Sequence, residues 1–496
     1  MKKIPFIATS LLLSNFYTAN GNVVIGGKST DKPNFVFILV DDLAFDAIQS
    51  SNRYPFLQTP NIQRLQDEGV TFNNFFCTTS LCSPSRASFL TGVYSHAHGV
   101  NQNNPMVDPD WNVFKPYPLL LQQKGYETAF LGKIHMASKL YGKEQIRPGF
   151  DYWLSFRGQG VYSDPELNEN GNEFKATGYI TDILTDYAIK WLTEKRSKDK
   201  PFSICLWHKA VHGPHTPAPR HTNLYQGEKL LEPPYGTAKE NFKGKPQWQK
   251  VRVDKTLDYN TKIDSLPVKP WDPNNKQFLS ILKTLKAVDE SVGKLYKTLE
   301  ELGELNNTVI IFSSDNGYFM GDHTFQDKRL AYEASMRIPM IIRYPKIIKA
   351  GTQINQMCLN VDVAPTILDW AGAEIPSYIQ GKSFMPLLKN QEKKLPWRNS
   401  FLFEYYVDDA YPRSGPDMIA VRTKNYKLVD NFLENDIDEL YDLENDPGEM
   451  KNLINKTGYK KIEEQMRKEA NRLKLELKYN PDRDWWLRTR VRKIIE

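Results

Sequence analysis

A chain of 496 residues is long enough to bury a large core and to form two domains. Its hydrophobic content of 40% and aromatic content of 12% are those of a globular protein and exclude a disordered chain. The net charge of +6 is spread along the sequence without a block of lysine and arginine, and no nucleic-acid-binding motif is present, so no nucleic-acid partner is expected.

The N-terminus has the three zones of a secretory signal peptide, which we predict over residues 1–21. Lys2 and Lys3 are followed by an apolar stretch at residues 4–13 and then by small and polar residues. The apolar stretch is too short to span a bilayer, no later stretch is long enough, and no cysteine lies near the cleavage site to carry a lipid. We therefore expect an exported protein, periplasmic or secreted, without a membrane anchor.

The first part of the mature chain has the pattern of an α/β protein. Apolar runs typical of strands buried on both faces occupy residues 35–40, 128–131, 202–207 and 308–313. Helical patterns fall between them, with one helix that begins near Cys82 and others at residues 60–69, 118–124, 179–194 and 277–302. We predict a catalytic domain over residues 30–390, with a probable insertion at residues 223–271 that is rich in Lys, Pro, Gly and Asn.

The pattern changes after about residue 390, where strands become short and closely spaced. They are predicted at residues 401–406, 418–422, 426–430 and 438–442, and a charged amphipathic helix follows at residues 460–479. These elements predict a smaller C-terminal α+β domain over residues 391–496, built on an antiparallel sheet.

Polar residues that can bind a metal ion or an anion follow each of the four strands in the first part of the chain. In chain order they are Asp41 and Asp42, Lys133 and His135, the histidine-rich segment 208–221, and Asp315 and Asn316. Binding sites in open α/β sheets form beyond the carboxyl ends of the strands. Four strands that end in this way predict one site at a common edge of the sheet.

The oxygen atoms among these residues suit calcium or magnesium. Asp41 and Asp42 are adjacent carboxylates, an arrangement that costs free energy unless a cation compensates it. Asp315 and Asn316 add a carboxylate and an amide oxygen, whereas a zinc site needs His or Cys. The alternative is that the aspartates cap helices and that the sequence after Asp315 forms a turn.

The pentapeptide Cys82-Ser83-Pro84-Ser85-Arg86 lies where a helix is predicted to begin. The free backbone N–H groups of a first helical turn favour an anion, and Arg86 lies one turn beyond Cys82 on the same face. The local pattern therefore predicts an anion site. The alternative is a buried, chemically inert cysteine in a capped helix.

Together with Leu90-Thr91-Gly92, this pentapeptide resembles the motif of the type I, formylglycine-dependent sulfatases. Residues 94–101, 303–308 and 315–318 are similar to N-acetylglucosamine-6-sulfatases in particular. The resemblance implies an alkaline-phosphatase/sulfatase-like fold, in which helices flank a large central mixed sheet. It also implies one calcium ion and the oxidation of Cys82 to Cα-formylglycine (3-oxoalanine).

The resemblance further implies a role for each site residue. Catalytic roles fall on Cys82, Arg86, Lys133, His135, His212 and Lys328, and the metal ligands are Asp41, Asp42, Asp315, Asn316 and the modified Cys82. In this chemistry hydrated formylglycine attacks sulfur, cationic side chains neutralise the sulfate oxygens, and one histidine protonates the leaving sugar oxygen. His212 lies in the expected His-x-Pro turn, but His215 has the same spacing to Pro217, so the choice between them stays open.

These observations predict an exported sulfatase that hydrolyses a sulfate ester on a carbohydrate, with 6-O-sulfated N-acetylglucosamine as the expected sugar and a sulfatase-maturing enzyme as a partner. Substrate contacts are expected from the insertion, the C-terminal domain and four polar residues, namely His98, Asn101, Asn103 and His215. The alternatives are a sulfatase for an algal polysaccharide such as ulvan, a phosphonate or phosphate ester hydrolase of the same superfamily, and a glycan-binding protein with unmodified Cys82.

Overall fold

The computed structural model describes residues 32–103, 107–136, 147–233, 235, 242–254, 271–389, 396–408, 411, 413–432 and 436–479. The predicted signal peptide, residues 1–21, lies outside these ranges, as do residues 234, 236–241 and 255–270 of the predicted insertion. Within the described ranges, no helix combines the length and the apolar composition needed to cross a membrane.

A large mixed sheet forms the core of the described residues. Strands are numbered in chain order, and ten of them make up this sheet in the spatial order β13 (Thr352–Ile354), β2 (Val70–Phe72), β12 (Met340–Arg343), β9 (Thr308–Ser314), β1 (Asn34–Val40), β8 (Phe202–Trp207), β4 (Glu127–Gly132), β5 (Tyr152–Ser155), β6 (Glu166–Glu169) and β7 (Asn172–Lys175). Parallel pairs dominate its centre, whereas β12, β6 and β7 pair antiparallel.

The four strands predicted in the first part of the chain lie next to one another at the centre of this sheet. β1 pairs in parallel with β9 on one side and with β8 on the other, and β8 pairs in parallel with β4. Every residue of β1, β8 and β9 is buried, as expected for continuous apolar runs. Their carboxyl ends therefore meet on one side of the molecule, which confirms the predicted common edge.

Helices pack on both faces of the sheet, because alternate side chains of β1 enter two separate hydrophobic clusters. Val36 and Ile38 belong to a cluster with α1 (Pro60–Glu68), α5 (Ile180–Lys190) and α7 (Lys276–Glu301). Phe35 and Phe37 belong to a cluster with α2 (Cys82–Thr91), α4 (Tyr117–Gln123) and α9 (Val363–Trp370). The shorter helices are α3 (Ser95–His98), α6 (Gln247–Val253), α8 (Glu333–Met336) and α10 (Met385–Leu388).

The C-terminal part is a smaller antiparallel sheet. Its strands lie in the order β15 (Ser400–Tyr405), β16 (Met418–Thr423), β17 (Tyr426–Asp430) and β18 (Glu439–Asp442). Helix α11 (Lys460–Glu476) packs on this sheet through Met466 and Leu473. A third hydrophobic cluster joins the sheet to Phe76, Leu81 and Tyr94, on both sides of α2 in the chain. The predicted fold class is therefore confirmed, while the domain boundary at residue 390 stays a prediction.

The sequence prediction misses the short strands. β2, β5, β12 and β13 have only three or four residues each. Four further strands have two residues each, namely β3 (Phe75–Phe76), β10 (Phe319–Met320), β11 (Gln326–Asp327) and β14 (Cys358–Leu359). A segment this short has too few residues to show the alternation that marks a strand, so the sheet is wider than its four predicted strands.

Candidate active site

Backbone hydrogen bonds continue past the carboxyl ends of the central strands into the loops that follow. The N–H of Asp41 donates to the carbonyl of Ala210 at 2.8 Å, and the N–H of Lys133 donates to that of Trp207 at 2.8 Å. The N–H of Asp315 donates to the carbonyl of the last residue of β1 at 3.1 Å. Each loop is thus tied to a neighbouring strand, which fixes the site side chains relative to one another.

Gly132 permits the close approach of β4 and β8 directly before Lys133. Its φ is +119°, and a Cβ at this position would lie 1.9 Å from the carbonyl oxygen of Trp207. No residue with a side chain fits there without displacing backbone. The approach brings the ammonium of Lys133 onto the buried carboxylate of Asp41.

Helix α2 places Cys82 and Arg86 beneath the same edge of the sheet, and all ten of its residues are buried. Cys82 Sγ lies 3.4 Å from Oδ1 of Asp41 and accepts a hydrogen bond of 2.9 Å from Nζ of Lys328. Burial and the charge of Asp41 raise the pKa of the Cys82 thiol to about 12. The thiol therefore keeps its proton at neutral pH and is a poor nucleophile as it stands.

Asp41, Asp42 and Asp315 form a cluster of buried carboxylates whose nearest oxygens all lie within 4.8 Å of one another. Asn316 Nδ2 donates to Oδ1 of Asp42 at 2.7 Å and to the carbonyl of Gly317 at 2.9 Å. This leaves Oδ1 of Asn316 buried and without a hydrogen-bond partner among the described residues. Three carboxylates and an unpartnered amide oxygen are the donor set that a hard divalent cation prefers. The four predicted protein ligands therefore lie together and fit calcium or magnesium.

Buried cationic side chains surround this carboxylate cluster. Arg86 donates a charge-assisted hydrogen bond to Oδ2 of Asp315 through Nε at 2.9 Å, and its Nη2 lies 2.8 Å from the same oxygen as an ion pair. The ammonium of Lys328 binds Oδ1 of Asp42. Arg86 also donates to the carbonyl of Lys133 through Nη1. The predicted sulfate-binding residues thus lie around one small volume at the strand ends.

The pKa values of the carboxylates respond to these neighbours. Burial by itself raises the pKa of Asp41, but the charges of Lys133, His212 and Arg86 outweigh it and hold the pKa well below its ordinary value. Burial and the charge of Asp41 outweigh the effect of Arg86 on Asp315 and raise its pKa to about 6. Asp315 is therefore the carboxylate whose charge is least compensated by protein groups.

His212 faces the carboxylate cluster, whereas His215 does not. His212 Nδ1 donates to the carbonyl of the next residue at 2.8 Å, and Nε2 lies 3.6 Å from Oδ2 of Asp42. His215 Nδ1 donates to the carbonyl of Val211 at 2.6 Å, and its Nε2 accepts from Gln277 at 3.3 Å. Both ring nitrogens of His215 are therefore occupied, and His212 is the one that presents a ring nitrogen to the site.

His135 is buried close to the same groups and has a left-handed backbone with φ +62°. Its Nδ1 has no hydrogen-bond partner among the described residues, and its carbonyl accepts from Oγ of Ser83 at 2.6 Å. Burial and the charge of Lys133 hold the pKa of His135 well below its ordinary value. At neutral pH the ring is uncharged and has a lone pair to accept a proton.

Two of the four predicted substrate residues have roles inside the fold instead. His98 is buried, its Nε2 pairs with Oγ of Ser88 at 3.1 Å, and its Nδ1 accepts the N–H of Val100 at 3.1 Å. Both ring nitrogens of His98 thus have partners within the fold, and its contact with a sugar stays a prediction. Asn103 Oδ1 accepts the N–H of Ser83 at 3.0 Å and so caps the first turn of α2, where a free N–H was expected. Asn101 is half-buried, as is His215.

Sequence reasoning missed two basic residues near the site. Lys209 is buried two residues after the end of β8, and its signal was available, since it follows an apolar strand as the other site residues do. Arg252 lies on α6 in the predicted insertion and donates to the carbonyls of Gln326 at 2.9 Å and Lys328 at 3.0 Å. Arg252 holds the turn that carries Lys328, a contact between distant segments that leaves no mark in the sequence.

A scan against protein families identifies the class to which this fold and site belong. Residues 33–373 match the sulfatase family, and residues 321–476 match the C-terminal region of N-sulphoglucosamine sulphohydrolase. The first match covers more than half of the chain. The protein therefore belongs to the sulfatase family and is a sulfuric ester hydrolase.

Individual relatives show which sulfatases this chain resembles. The N-acetylglucosamine-6-O-sulfatase of Bacteroides thetaiotaomicron is 36% identical, over 88% of this chain and 86% of that protein. Human N-acetylglucosamine-6-sulfatase is 32% identical, over 82% of this chain and 72% of that protein. One solved structure, of a protein in complex with its substrate D-glucosamine-2-N,6-O-disulfate, matches this chain with a TM-score of 0.77 and 33% identity. The match covers 91% of this chain and 100% of that one. The recognised similarity to N-acetylglucosamine-6-sulfatases is thus confirmed.

Proposed function

We propose that the protein is a carbohydrate sulfatase that hydrolyses the 6-O-sulfate ester of N-acetylglucosamine. One observation carries the proposal: similarity to N-acetylglucosamine-6-sulfatases extends over both the catalytic part and the C-terminal part of the chain. The geometry supports it, because Cys82 lies between Asp41 of the carboxylate cluster and the ammonium of Lys328.

The nucleophile is assigned to position 82. As a thiol with a pKa of about 12, Cys82 is inactive, whereas its oxidised form, Cα-formylglycine, supplies a hydroxyl nucleophile when hydrated. A sulfatase-maturing enzyme is the partner that performs this oxidation. Asp41, Asp42, Asp315 and Asn316 would hold a calcium ion, which would supply Lewis-acid polarisation of the oxygens at the reaction centre.

The sulfate group is held by buried cations. Arg86, Lys133 and Lys328 all point towards the volume between α2 and the strand ends. Fixed positive charges at this depth stabilise the negative charge that shifts onto the sulfate oxygens and the leaving oxygen in the transition state. Their burial keeps water from screening these charges.

His212 is assigned as the acid that protonates the leaving sugar oxygen. Burial and the charge of Lys133 lower its pKa to about 4, so the ring is neutral in the free protein. The anionic sulfate ester adds a negative charge beside the ring, which favours proton uptake at Nε2 in the complex. His135, neutral and with an unpartnered Nδ1, is assigned as the base that takes a proton from position 82 when the resting state is restored.

The proposal also includes export of the protein. The charged, apolar and polar zones of residues 1–21 support cleavage by a signal peptidase and a periplasmic or secreted location. A sulfated polysaccharide or oligosaccharide in the same compartment is the proposed substrate.

The test is a sulfate-release assay on protein produced together with a sulfatase-maturing enzyme and supplied with calcium. Ion chromatography measures sulfate freed from N-acetylglucosamine carrying the ester at O6 or at O3, with 4-nitrophenyl phosphate as the probe for a phosphatase. We expect release from the 6-O ester and at most trace activity on the other two substrates. Preference for the phosphate, or no release by protein whose residue 82 is fully converted, contradicts the proposal.

Two cysteine variants control this assay. Cys82→Ala removes the modified position and abolishes sulfate release. Cys205→Ala changes another buried cysteine, which packs within β8 with its Sγ 3.0 Å from the hydroxyl of Tyr117, and retains activity.

A further inference from the structure

We propose that Lys209 is a positioning residue that holds His212 in the orientation required of a general acid, an inference that rests on the proposed function of His212. Lys209 lies two residues after the end of β8 and three residues before His212. It carries no role in the sulfate site as assembled above, yet its side chain is fully buried beside that site.

One carbonyl oxygen connects the two side chains. Lys209 Nζ donates to the carbonyl oxygen of Gly213 at 3.1 Å, and His212 Nδ1 donates to the same oxygen at 2.8 Å. A carbonyl oxygen has two lone pairs and accepts both bonds. Because Nδ1 carries the hydrogen in this arrangement, Nε2 is the nitrogen that faces Asp42 and the reaction centre.

Tyr162 contacts Lys209 and binds the carbonyl adjacent to that of Gly213. The ammonium of Lys209 lies 4.7 Å from the centroid of the Tyr162 ring, a cation–π contact. The hydroxyl of Tyr162 donates to the carbonyl of His212 at 2.6 Å. The carbonyls of His212 and Gly213 are therefore both anchored by one pair of stacked side chains, which leaves the His212 ring little freedom to rotate.

The burial of Lys209 indicates a functional reason for its charge. Among the described residues, no carboxylate lies within ion-pair distance of Nζ, and a buried ammonium without such a partner is destabilising. Burial and the charge of Lys133 lower the pKa of Lys209 to about 8. A neutral side chain of similar length would pack here at lower cost, and it would leave the Gly213 carbonyl with only the hydrogen bond from the His212 ring.

Lys245 offers a matched control in the same chain. It is also buried, its Nζ donates to the backbone carbonyl of Glu449 at 2.7 Å, and it lies 5.1 Å from the centroid of the Tyr332 ring. It has the same kind of surroundings as Lys209 but contacts no part of the 212–215 turn. Lys245→Met therefore reports the general cost of removing a buried, carbonyl-bound ammonium.

The experiment is a double-mutant cycle on fully converted, calcium-loaded protein, with kcat measured on 6-O-sulfated N-acetylglucosamine. We expect Lys209→Met to lower kcat about 10- to 100-fold with little change in KM, because general acids contribute about 100- to 10,000-fold. In a His212→Ala background the same substitution lowers kcat by less than about threefold, since the acid through which Lys209 acts is gone. Lys245→Met leaves kcat within about threefold of the wild type.

Two outcomes overturn the proposal. Equal losses from Lys209→Met in the presence and absence of His212 show that Lys209 acts on its own, for example on the sulfate charge. An unchanged kcat in the Lys209→Met protein shows that it has no role. Thermal unfolding of each variant confirms that the protein measured is folded.

A second measurement does not depend on activity. Protein labelled with ¹⁵N-histidine gives the His212 ring signals, which are assigned by their absence in His212→Ala. We expect a hydrogen on Nδ1 in the wild type and averaged ring signals in Lys209→Met, where the ring exchanges between tautomers. Identical signals in both proteins overturn the proposal. If fully converted wild type releases no sulfate from the sugar, the proposed function is wrong. In that case the NMR spectra still test whether Lys209 orients the His212 ring, because they do not depend on activity.

Discussion

Asp41 and Asp315 follow neighbouring strands and are both fully buried, yet their pKa values move in opposite directions. Lys133, His212 and Arg86 outweigh burial at Asp41 and lower its pKa. At Asp315 burial and the charge of Asp41 outweigh Arg86 and raise the pKa to about 6. The difference arises from the number of cations close to each carboxylate, and among the proposed metal ligands Asp315 is the one that should gain most from a divalent cation.

Calcium should therefore stabilise the protein through this carboxylate. At a calcium concentration 100 times its Kd we expect about 2.7 kcal/mol of added stability, visible as a rise in Tm. Asp315→Asn should lose most of this rise. Asp289→Asn should keep it, because Asp289 is a buried carboxylate that accepts the N–H groups of Asn61 and Ile62 far from the site. Equal calcium responses of the two variants, measured by thermal unfolding, contradict the assignment.

Buried neutral histidines predict acid sensitivity. His208 is fully buried against Ser291, and burial lowers its pKa to about 3. The unfolded chain binds a proton at this residue below its ordinary pKa of 6.5, but the folded protein does so only near 3, so stability is lost as the pH falls below 6.5. Between pH 8 and pH 5 His208 accounts for about 2 kcal/mol of this loss.

Urea unfolding at the two pH values measures the effect. The difference in unfolding free energy between pH 8 and pH 5 should be smaller in His208→Gln than in the wild type by about 2 kcal/mol. Because each protein is compared with itself at the two pH values, the part of the substitution's cost that does not depend on pH cancels. A pH dependence that is the same in both proteins shows that His208 titrates normally in the folded state.

At the scale of elements, four parallel strands and one helix supply most residues of the candidate site. β9, β1, β8 and β4 supply the polar residues at their carboxyl ends, and α2 supplies Cys82 and Arg86. The backbone bonds between the loops, such as that from Lys133 to Trp207, set the spacing of these groups. Changes in strand spacing therefore alter the site without touching any side chain in it.

A substitution at Gly132 would change the spacing between β4 and β8 most directly. In Gly132→Ala the new Cβ would lie 1.9 Å from the carbonyl oxygen of Trp207 at a φ of +119°. We expect a loss of unfolding free energy of more than about 2 kcal/mol and a large loss of sulfate release as Lys133 moves. Gly125→Ala is the control, since Gly125 has φ +85° but open space around it, and should cost about 1 kcal/mol. Equal costs in urea unfolding contradict the steric argument.

Across the whole molecule, a buried ion network ties the C-terminal sheet to the catalytic part. Glu333 on α8 lies 2.9 Å from Nζ of Lys427 on β17 and 3.3 Å from Arg422 on β16. Lys427 also binds Glu449 at 2.6 Å, and the carboxylate of Glu449 accepts the N–H of Glu333 at 2.8 Å. Lys328 lies only five residues before Glu333, so the network supports the segment that reaches Cys82.

Removing the central cation of this network tests the coupling. Lys427→Met leaves the buried carboxylate of Glu449 and the half-buried carboxylate of Glu333 without their shared partner and should cost about 3–5 kcal/mol of unfolding free energy. Sulfate release should fall as well, because the Lys328 segment loses its support. Lys346→Met, at an exposed lysine that binds the side chain of Asn307, should change stability by less than about 0.5 kcal/mol. Urea unfolding that shows similar small effects for both variants contradicts the proposed coupling.

The sequence predicts the central strands, and it places the candidate site at their carboxyl ends, for identifiable reasons. Continuous apolar runs mark β1, β4, β8 and β9, and the residues after them, such as Asp41 and Asp315, stand out by position, whereas their role as metal ligands is implied by the sulfatase resemblance. The contact of Arg252 with the Lys328 turn and the pairing of Glu333 with Lys427 join segments far apart in the chain. No local pattern encodes such contacts, and for the same reason the structural role of His98 was not foreseen.

The most direct test follows the state of residue 82. Protein is prepared with graded amounts of the maturing enzyme, and mass spectrometry of the peptide that carries Cys82 gives the fraction converted to formylglycine. We predict that sulfate release from 6-O-sulfated N-acetylglucosamine rises in proportion to this fraction and is absent at zero conversion. Release at the same rate by unconverted protein would contradict the central claim that the site works through a modified Cys82.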